Sequence, residues 1–169
     1  MEKIAKFEKV SFEQFVKDID GQFAELSEDE KKHAFEMAQL PVRATTGSAG
    51  YDFYIPFDIK LEPGKSIKIA TGIRSKIADG WLLMVCPRSG LGFKYRLQID
   101  NTVGIIDSDY YYSDNEGHIQ IKITNDNREC KVLELKAGDR FAQGIFLPYG
   151  ITEDDDAREI RNGGFGSTK

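Results

Sequence analysis

The chain is poor in the residues that build disulfide frameworks and zinc centres. Its two cysteines, Cys86 and Cys130, supply neither a disulfide framework nor a metal-ligand spacing, and reduced, buried thiols are expected. A zinc site built on histidine needs more ligands than His33 and His118 can offer. Long hydrophobic runs are missing too. The longest purely apolar stretch is Trp81 to Cys86, far short of a membrane span. The first residues, Met-Glu-Lys-Ile-Ala-Lys-Phe-Glu, carry no apolar core followed by a small-residue cleavage site. A cytoplasmic protein, neither secreted nor anchored, is expected from them. An excess of basic charge is also absent: the net charge over 169 residues is −5. Non-specific nucleic-acid binding, which needs a large basic face, is not expected. The chemistry must therefore rest on carboxylates, hydroxyls, arginines or a loosely held magnesium ion.

That charge is unevenly placed. Residues 1–40 hold six lysines and ten acidic residues, whereas residues 41–169 are nearly neutral. The first forty residues also differ in pattern. Ser11-Phe-Glu-Gln14 and Ser27-Glu-Asp-Glu30 fit capping boxes, in which side chains satisfy orphan backbone donors. A first helix follows with Phe12, Phe15, Val16 and Ile19 on one face, and a second over 28–39 with Ala34, Phe35 and Ala38 inward. This segment reads as a helical extension without chemistry of its own.

From Pro41 the period changes to two. Ile67 and Ile69 alternate with polar neighbours, as do Ile119, Ile121 and Ile123 with Gln120, Lys122 and Thr124. Trp81 to Cys86 reads as a continuous apolar strand, and Phe141 to Leu147 as another. Gly, Asp and Pro punctuate these short runs, which predicts an all-β sandwich or barrel over 41–157. No βαβ rhythm of ~30 residues appears. A Gly/Ser/Thr-rich arm over 158–169 closes the sequence and is expected to stay mobile until something orders it.

Four segments invite chemistry. Pro87-Arg88-Ser89-Gly90 at a strand end combines a guanidinium fork with backbone N–H groups, which suits phosphate oxygens or forms a plain turn. Ile105-Ile106-Asp107-Ser108-Asp109-Tyr110 places a carboxylate where it either caps a turn or orients a water molecule. In Gly138-Asp-Arg140-Phe-Ala-Gln143, the Arg and Gln are three apart and are expected on opposite strand faces. In Gly163-Gly-Phe165-Gly-Ser-Thr168, a lone Phe has no local core to join, and stacking on a planar ligand would give it one.

Taken together these segments resemble the homotrimeric dUTP diphosphatases (dUTPases), which carry five ordered motifs. Ala49-Gly-Tyr-Asp52, Pro87-Arg-Ser-Gly-Leu91, Val103-Gly-Ile-Ile-Asp-Ser-Asp-Tyr110, Gly138-Asp-Arg-Phe-Ala-Gln143 and Gly163-Gly-Phe-Gly-Ser-Thr168 look like the five in order. The resemblance covers residues 41–169. It implies a jelly-roll-like β fold closed as a threefold trimer, with the C-terminal arm of one chain covering a site built by the other two. It implies a magnesium-dependent hydrolase of nucleotide metabolism. This enzyme would convert dUTP and water to dUMP and pyrophosphate, limit uracil incorporation into DNA and supply dUMP.

By the same resemblance Asp107 matches the carboxylate that activates water, and Tyr110 the ring packed on deoxyribose. Asn101, the backbone of Gly104, Ile105 and Ile106, and Gln120 match the hairpin that reads uracil. Arg88, Ser89, Gly90 and Gln143 match phosphate contacts. Phe165 matches the residue capping uracil, with Gly166, Ser167 and Thr168 on the terminal phosphate. Magnesium (Mg2+) is expected on the substrate phosphates and waters, without a direct protein ligand and with Asp52 as an outer neighbour. Three features depart from the pattern. The usual arginine three residues ahead of Gly-Gly-Phe is Ile160 here, so Arg161 is the expected γ-phosphate clamp and Arg158 its reserve. Tyr111 to Glu116 lengthens the turn before Gly117. Residues 1–40 have no counterpart, and they and the 111–117 insert either pack together or meet a protein partner. The alternatives are a dCTP deaminase of the same fold or a regulatory protein that keeps the fold. The deaminases place a catalytic Glu three residues before an Asn, where this chain has Lys122 before Asn125.

Overall fold

The structure is a computed structural model that describes residues 2–20, 23, 26–159 and 161. Its core is antiparallel β structure. Strands β1 (Ala5–Lys9), β2 (Val42–Arg43), β3 (Tyr51–Tyr54), β4 (Ile59–Leu61), β5 (Ser66–Ala70), β6 (Ile73–Ile77) and β7 (Trp81–Pro87) fill the first half. Strands β8 (Leu97–Ile99), β9 (Gly104–Ile106), β10 (Gln120–Asn125), β11 (Leu133–Leu135) and β12 (Arg140–Pro148) complete it. The largest sheet runs β2-β3-β12-β7-β9, and smaller sheets pair β5-β10-β8, β11-β4 and β1-β6.

Period-two patterning explains the packing. In β10, Ile121 and Ile123 are buried and Lys122 is exposed, as alternation about a pleated backbone requires. They join Phe53, Leu83, Val85, Ile99 and Phe141 in the main core. The apolar run Trp81 to Cys86 is not buried on both faces: Leu83 and Val85 point inward, while Leu82, Met84 and Cys86 remain half-buried on the outer face. Gly144 lets β12 lie close to its neighbours, because a Cβ there would stand 2.7 Å from Leu83 Cδ1 and 2.9 Å from Phe53 Cε2.

The helical extension contains α1 (Phe12–Asp20) and α2 (Glu28–Met37), but it also supplies β1, which pairs with β6 in the β body. Phe15 and Ile19 of α1 are fully buried with Val10, Ala34 and Ala70. Side chains of this size contribute roughly 1.5–3 kcal/mol each when fully buried. The second capping box is complete: Ser27 Oγ accepts from Glu30 N–H, and the Glu30 carboxylate accepts from Ser27 N–H. The first is half built. Ser11 Oγ accepts from Gln14 N–H, but the Glu116 carboxylate takes the Ser11 N–H at 2.8 Å and its hydroxyl at 2.6 Å.

The 111–117 insert therefore packs on the extension. Tyr111 donates to Glu8 at 2.5 Å, and its ring lies under Arg74 at 4.4 Å. Two further expectations are corrected. Cys130 is exposed rather than buried, in a turn with φ of 57°. A short helix, α3 (Ser89–Tyr95), follows β7 where a turn was read. Among the described residues no helix is long and apolar enough to cross a membrane.

Candidate active site

Two groups of the expected residues assemble on the large sheet and its neighbours. The first centres on Asp52 of β3. Register places Asp52 opposite Gln143 of β12, so the two side chains share a face. The carboxylate is held at both oxygens: Arg88 Nε lies 3.1 Å from Oδ1, and Arg140 Nη1 donates to Oδ2 at 3.1 Å. The expectation that Arg140 and Gln143 serve opposite faces is corrected here. A register shift between Arg140 and Ala142 breaks the alternation, as a bulge does, and Arg140 reaches the carboxylate that Gln143 faces. The Gln143 side chain lies over Gly50, where a Cβ would meet its Oε1 at 2.7 Å. Ser89 and Gly90, just beyond Arg88, are exposed.

The second group surrounds a narrow pocket between β9 and β10. Asn101, Gly104, Ile106 and Gln120 line it over a floor that includes Val85 and Ile99. Four of the five residues expected to read the uracil thus converge. Ile105 points outward at 44% exposure. Lys122 also lines the pocket; its place on an alternating strand signalled only a solvent-facing side chain.

Asp107 follows directly on β9. It occupies the N-cap position of the 3-10 turn Ser108–Tyr112, but its side chain makes no cap hydrogen bond. The carboxylate is 47% exposed and accepts from Arg161 Nη2 at 2.6 Å. Arg161 Nε lies 3.1 Å from Asp109 Oδ1, and its guanidinium carbon 5.7 Å from the Tyr110 ring centre. One arginine thus sits among three residues of the third motif. Arg158 is exposed.

Tyr110 is only 2% exposed. Its hydroxyl donates to His118 O at 2.9 Å and accepts from Asn115 Nδ2 at 2.9 Å. Burial pushes the phenol above its ordinary range. Gly117 brings the end of the insert against the Tyr110 and Tyr111 backbone: its φ is +68°, and a Cβ would meet Tyr110 O at 2.7 Å. The two carboxylates hold different arginines: Asp52 pairs with Arg88 and Arg140, and Asp107 with Arg161. Phe165, Gly166, Ser167 and Thr168 lie outside the described residues. Among the described residues no three His, Cys, Asp or Glu side chains come together as a metal cage.

Sequence reading missed Asp18, His118 and Glu116. His118 is completely buried, with Nδ1 2.5 Å from Asp18 Oδ2 and Nε2 accepting from Gly72 N–H at 2.8 Å. No sequence signal links residues one hundred positions apart.

Comparison with known proteins agrees with the five motifs. The family profile described as dUTPase matches residues 36–169. The deoxyuridine 5'-triphosphate nucleotidohydrolase of Paraburkholderia phymatum is 39% identical over 138 residues, spanning 77% of this chain and 88% of that protein. The crystal structure of dUTPase from Streptococcus mutans superposes with a TM-score of 0.64 at 28% identity, over 87% of this chain and 98% of that one. A Staphylococcus bacteriophage 80alpha dUTPase variant with dUpNHpp shares the fold at 20% identity (TM-score 0.64), over 99% of this chain and 96% of its own. With the profile spanning all five motifs and a relative at this identity covering most of both chains, the chain belongs to the dUTPase family.

Proposed function

We propose that the chain hydrolyses dUTP to dUMP and pyrophosphate, with Asp107 activating the water that attacks the α-phosphorus. The observation that carries this reading is the position of Asp107. Its half-exposed carboxylate caps nothing and follows directly on the strand whose Gly104 and Ile106 line the pocket. Asn101 and Gln120 bring amide donors and acceptors to the same pocket. A few fixed polar groups in a narrow site reject wrong bases, because a mismatched donor or acceptor stays unpaired. Tyr110, beneath this motif, forms the floor for the deoxyribose.

A triphosphate needs charge neutralisation and positioning more than covalent help. Arg88 and Gln143, with Ser89 and Gly90, would bind the phosphates, and Asp52 keeps Arg88 in place. Arg161 would clamp the γ-phosphate, which requires it to leave Asp107. Magnesium, when bound to the phosphates, spreads their charge and usually keeps several waters. Asp52 has both oxygens committed to arginines and would act on that ion only from a distance.

Membership of the dUTPase family supports a threefold homotrimer with each site shared between subunits. The arm over 158–169 would close a neighbouring subunit's site with Phe165 on the uracil. A protein partner on the extension and insert would meet Tyr112, which is 71% exposed. The test is pyrophosphate release from dUTP with and without magnesium, with dCTP as control. Magnesium-dependent release from dUTP alone is expected. Equal release from dCTP, or none from dUTP, would overturn the reading.

A further inference from the structure

We propose that Asp100, in the turn that leads into the third motif, is a positioning residue that clasps this turn to β10 and so sets the width of the pocket for the base. The inference rests on the nucleotide reading of that pocket.

The pocket opens where two strands part. β8 pairs with β10 as far as Ile99, which stands opposite Ile123. Asp100 N–H then donates to Lys122 O at 3.1 Å. Beyond it the chain turns. Thr102 N–H donates to Ile99 O and Val103 N–H to Asn101 O, each at 2.8 Å, and Thr102 takes a left-handed φ of 70°. From this turn β9 leaves to pair with β7. β9 and β10 thus belong to different sheets, and Asn101, Gly104 and Ile106 line the gap together with Gln120 and Lys122.

Asp100 ties the turn to β10 at this fork. It follows Ile99 as Lys122 precedes Ile123, and Lys122 Nζ lies 2.7 Å from its Oδ2. Thr124, two residues along β10 and on the same face, donates to Oδ1. A carboxylate only accepts, so Thr124 gives its hydroxyl proton to Asp100 and receives one from Ser66 Oγ at 2.6 Å. The row crosses β5, β10 and the turn. Burial works against ionisation of Asp100, but the bonds from Lys122 and Thr124 outweigh it and hold the carboxyl below its ordinary range. Without Asp100 the turn keeps its main-chain bonds but loses the side-chain tie between the two walls of the pocket. Asn101 then gains freedom and the gap can widen. Asp100, Lys122, Thr124 and Ser66 all lie outside the five motifs.

The experiment measures the affinities of dUMP and dTMP by calorimetry in the full chain, Asp100→Ala, Asp100→Asn, Lys122→Ala and the Asp100→Ala/Lys122→Ala double variant. The two nucleotides share one hydrogen-bonding edge and differ by a methyl group, so the ratio of their affinities reads the width of the pocket. A fitted pocket distinguishes a single carbon by about 10–200-fold. The wild-type chain must first prefer dUMP; absence of that preference defeats the nucleotide reading itself. Asp100→Ala is expected to lower the preference at least about fivefold, the scale of losing an ion pair together with a charge-assisted hydrogen bond. A smaller loss would overturn the proposal; joined to a lower melting temperature, it would make Asp100 merely structural. Lys122→Ala should lower the preference less, since Thr124 still holds Asp100, and the double variant should fall no further than Asp100→Ala, because the two side chains act as one clasp. A greater loss in Lys122→Ala would place the lysine itself on the base and overturn the proposal. Additive losses would overturn it too. Should Asp100→Ala fail to melt cooperatively, Asp100→Asn decides. Its amide oxygen still accepts from Thr124, but the charge that holds Lys122 is gone, so a loss of at least about threefold is expected. A smaller loss in folded Asp100→Asn would overturn the assignment.

Discussion

Arg161 Nη2 stands 2.6 Å from Asp107 Oδ2, joining the residue expected to clamp the γ-phosphate to the residue expected to activate water. The same guanidinium lies 3.1 Å from Asp109 Oδ1. A bound triphosphate would compete for Arg161 with these two carboxylates. Substrate binding and release of the Asp107 carboxylate would then be one event.

Asp107→Asn should keep nucleotide binding and remove most turnover. An amide still fits the site but takes no proton from water. Loss of a positioned general base typically costs about 10²–10⁴-fold in rate. Steady-state kcat with dUTP checks this. A variant that keeps more than half of wild-type kcat would pass the role to Asp109.

Arg161→Ala should weaken dUTP by about tenfold or more while leaving dUMP nearly unchanged, since only dUTP offers a γ-phosphate to a charge-assisted pair. Calorimetry with dUMP and a non-hydrolysable dUTP analogue separates the two. Equal weakening of both ligands would place the clamp on Arg158.

These assignments show how far the sequence reaches. The alternation through Ile119, Ile121 and Ile123 and the box at Ser27 and Glu30 are local signals, and the folded chain keeps both. The five motifs name both site groups because each motif is short and contiguous. Features made by distant partners were not legible. Ser11 reads as a capping box with Gln14, yet Glu116 takes its backbone N–H from 105 residues away. Strand β1, Ala-Lys-Phe-Glu-Lys, alternates only through Ala5 and Phe7, too short a run to mark a strand, and its pairing depends on the edge that β6 offers. The bulge beside Arg140 shifts strand parity without leaving a Gly or Pro to mark it.

Glu8→Gln should flatten the acid branch of the stability curve. Hydrogen bonds from Lys6 and Tyr111, with Arg74 nearby, lower the Glu8 pKa from 4.5 to about 2. Because the folded value is depressed, the ionised group stabilises the fold fully above its unfolded pKa. That contribution is lost as pH falls from 4.5 through about 2. Urea midpoints of wild type and Glu8→Gln should therefore differ most above that window and converge within it. A constant difference across the window would show that Glu8 contributes no linked stability.

Tyr110→Phe should lower the melting temperature without relaxing sugar choice. It keeps the ring but removes the hydroxyl that donates to His118 O and accepts from Asn115 Nδ2, leaving those two atoms only their long 3.5 Å bond to each other. A buried group left unsatisfied costs about 1–3 kcal/mol. The ratio of kcat/KM for dUTP over UTP should stay within about twofold of wild type, since one tenfold step needs about 1.4 kcal/mol of differential binding. A large fall in that ratio would assign discrimination to the hydroxyl rather than the ring.

Two inactive variants should rescue one another if each site is shared between subunits. Asp107→Asn supplies an intact arm and a dead carboxylate. A chain ending at Arg161 supplies the reverse. After mild denaturation and refolding of an equal mixture, a working site needs Asp107 from a shortened subunit and its arm from the other parent. Each condition holds half the time in random mixed trimers, so about a quarter of sites should be whole under closed cyclic symmetry. Activity should recover to about a quarter of wild type by the same count. If Asp107 and the arm served one site within a single chain, every site would carry a defect and the mixture would stay inactive. Mass spectrometry showing mixed trimers without recovered activity would therefore exclude the shared site while leaving dUTP hydrolysis itself intact.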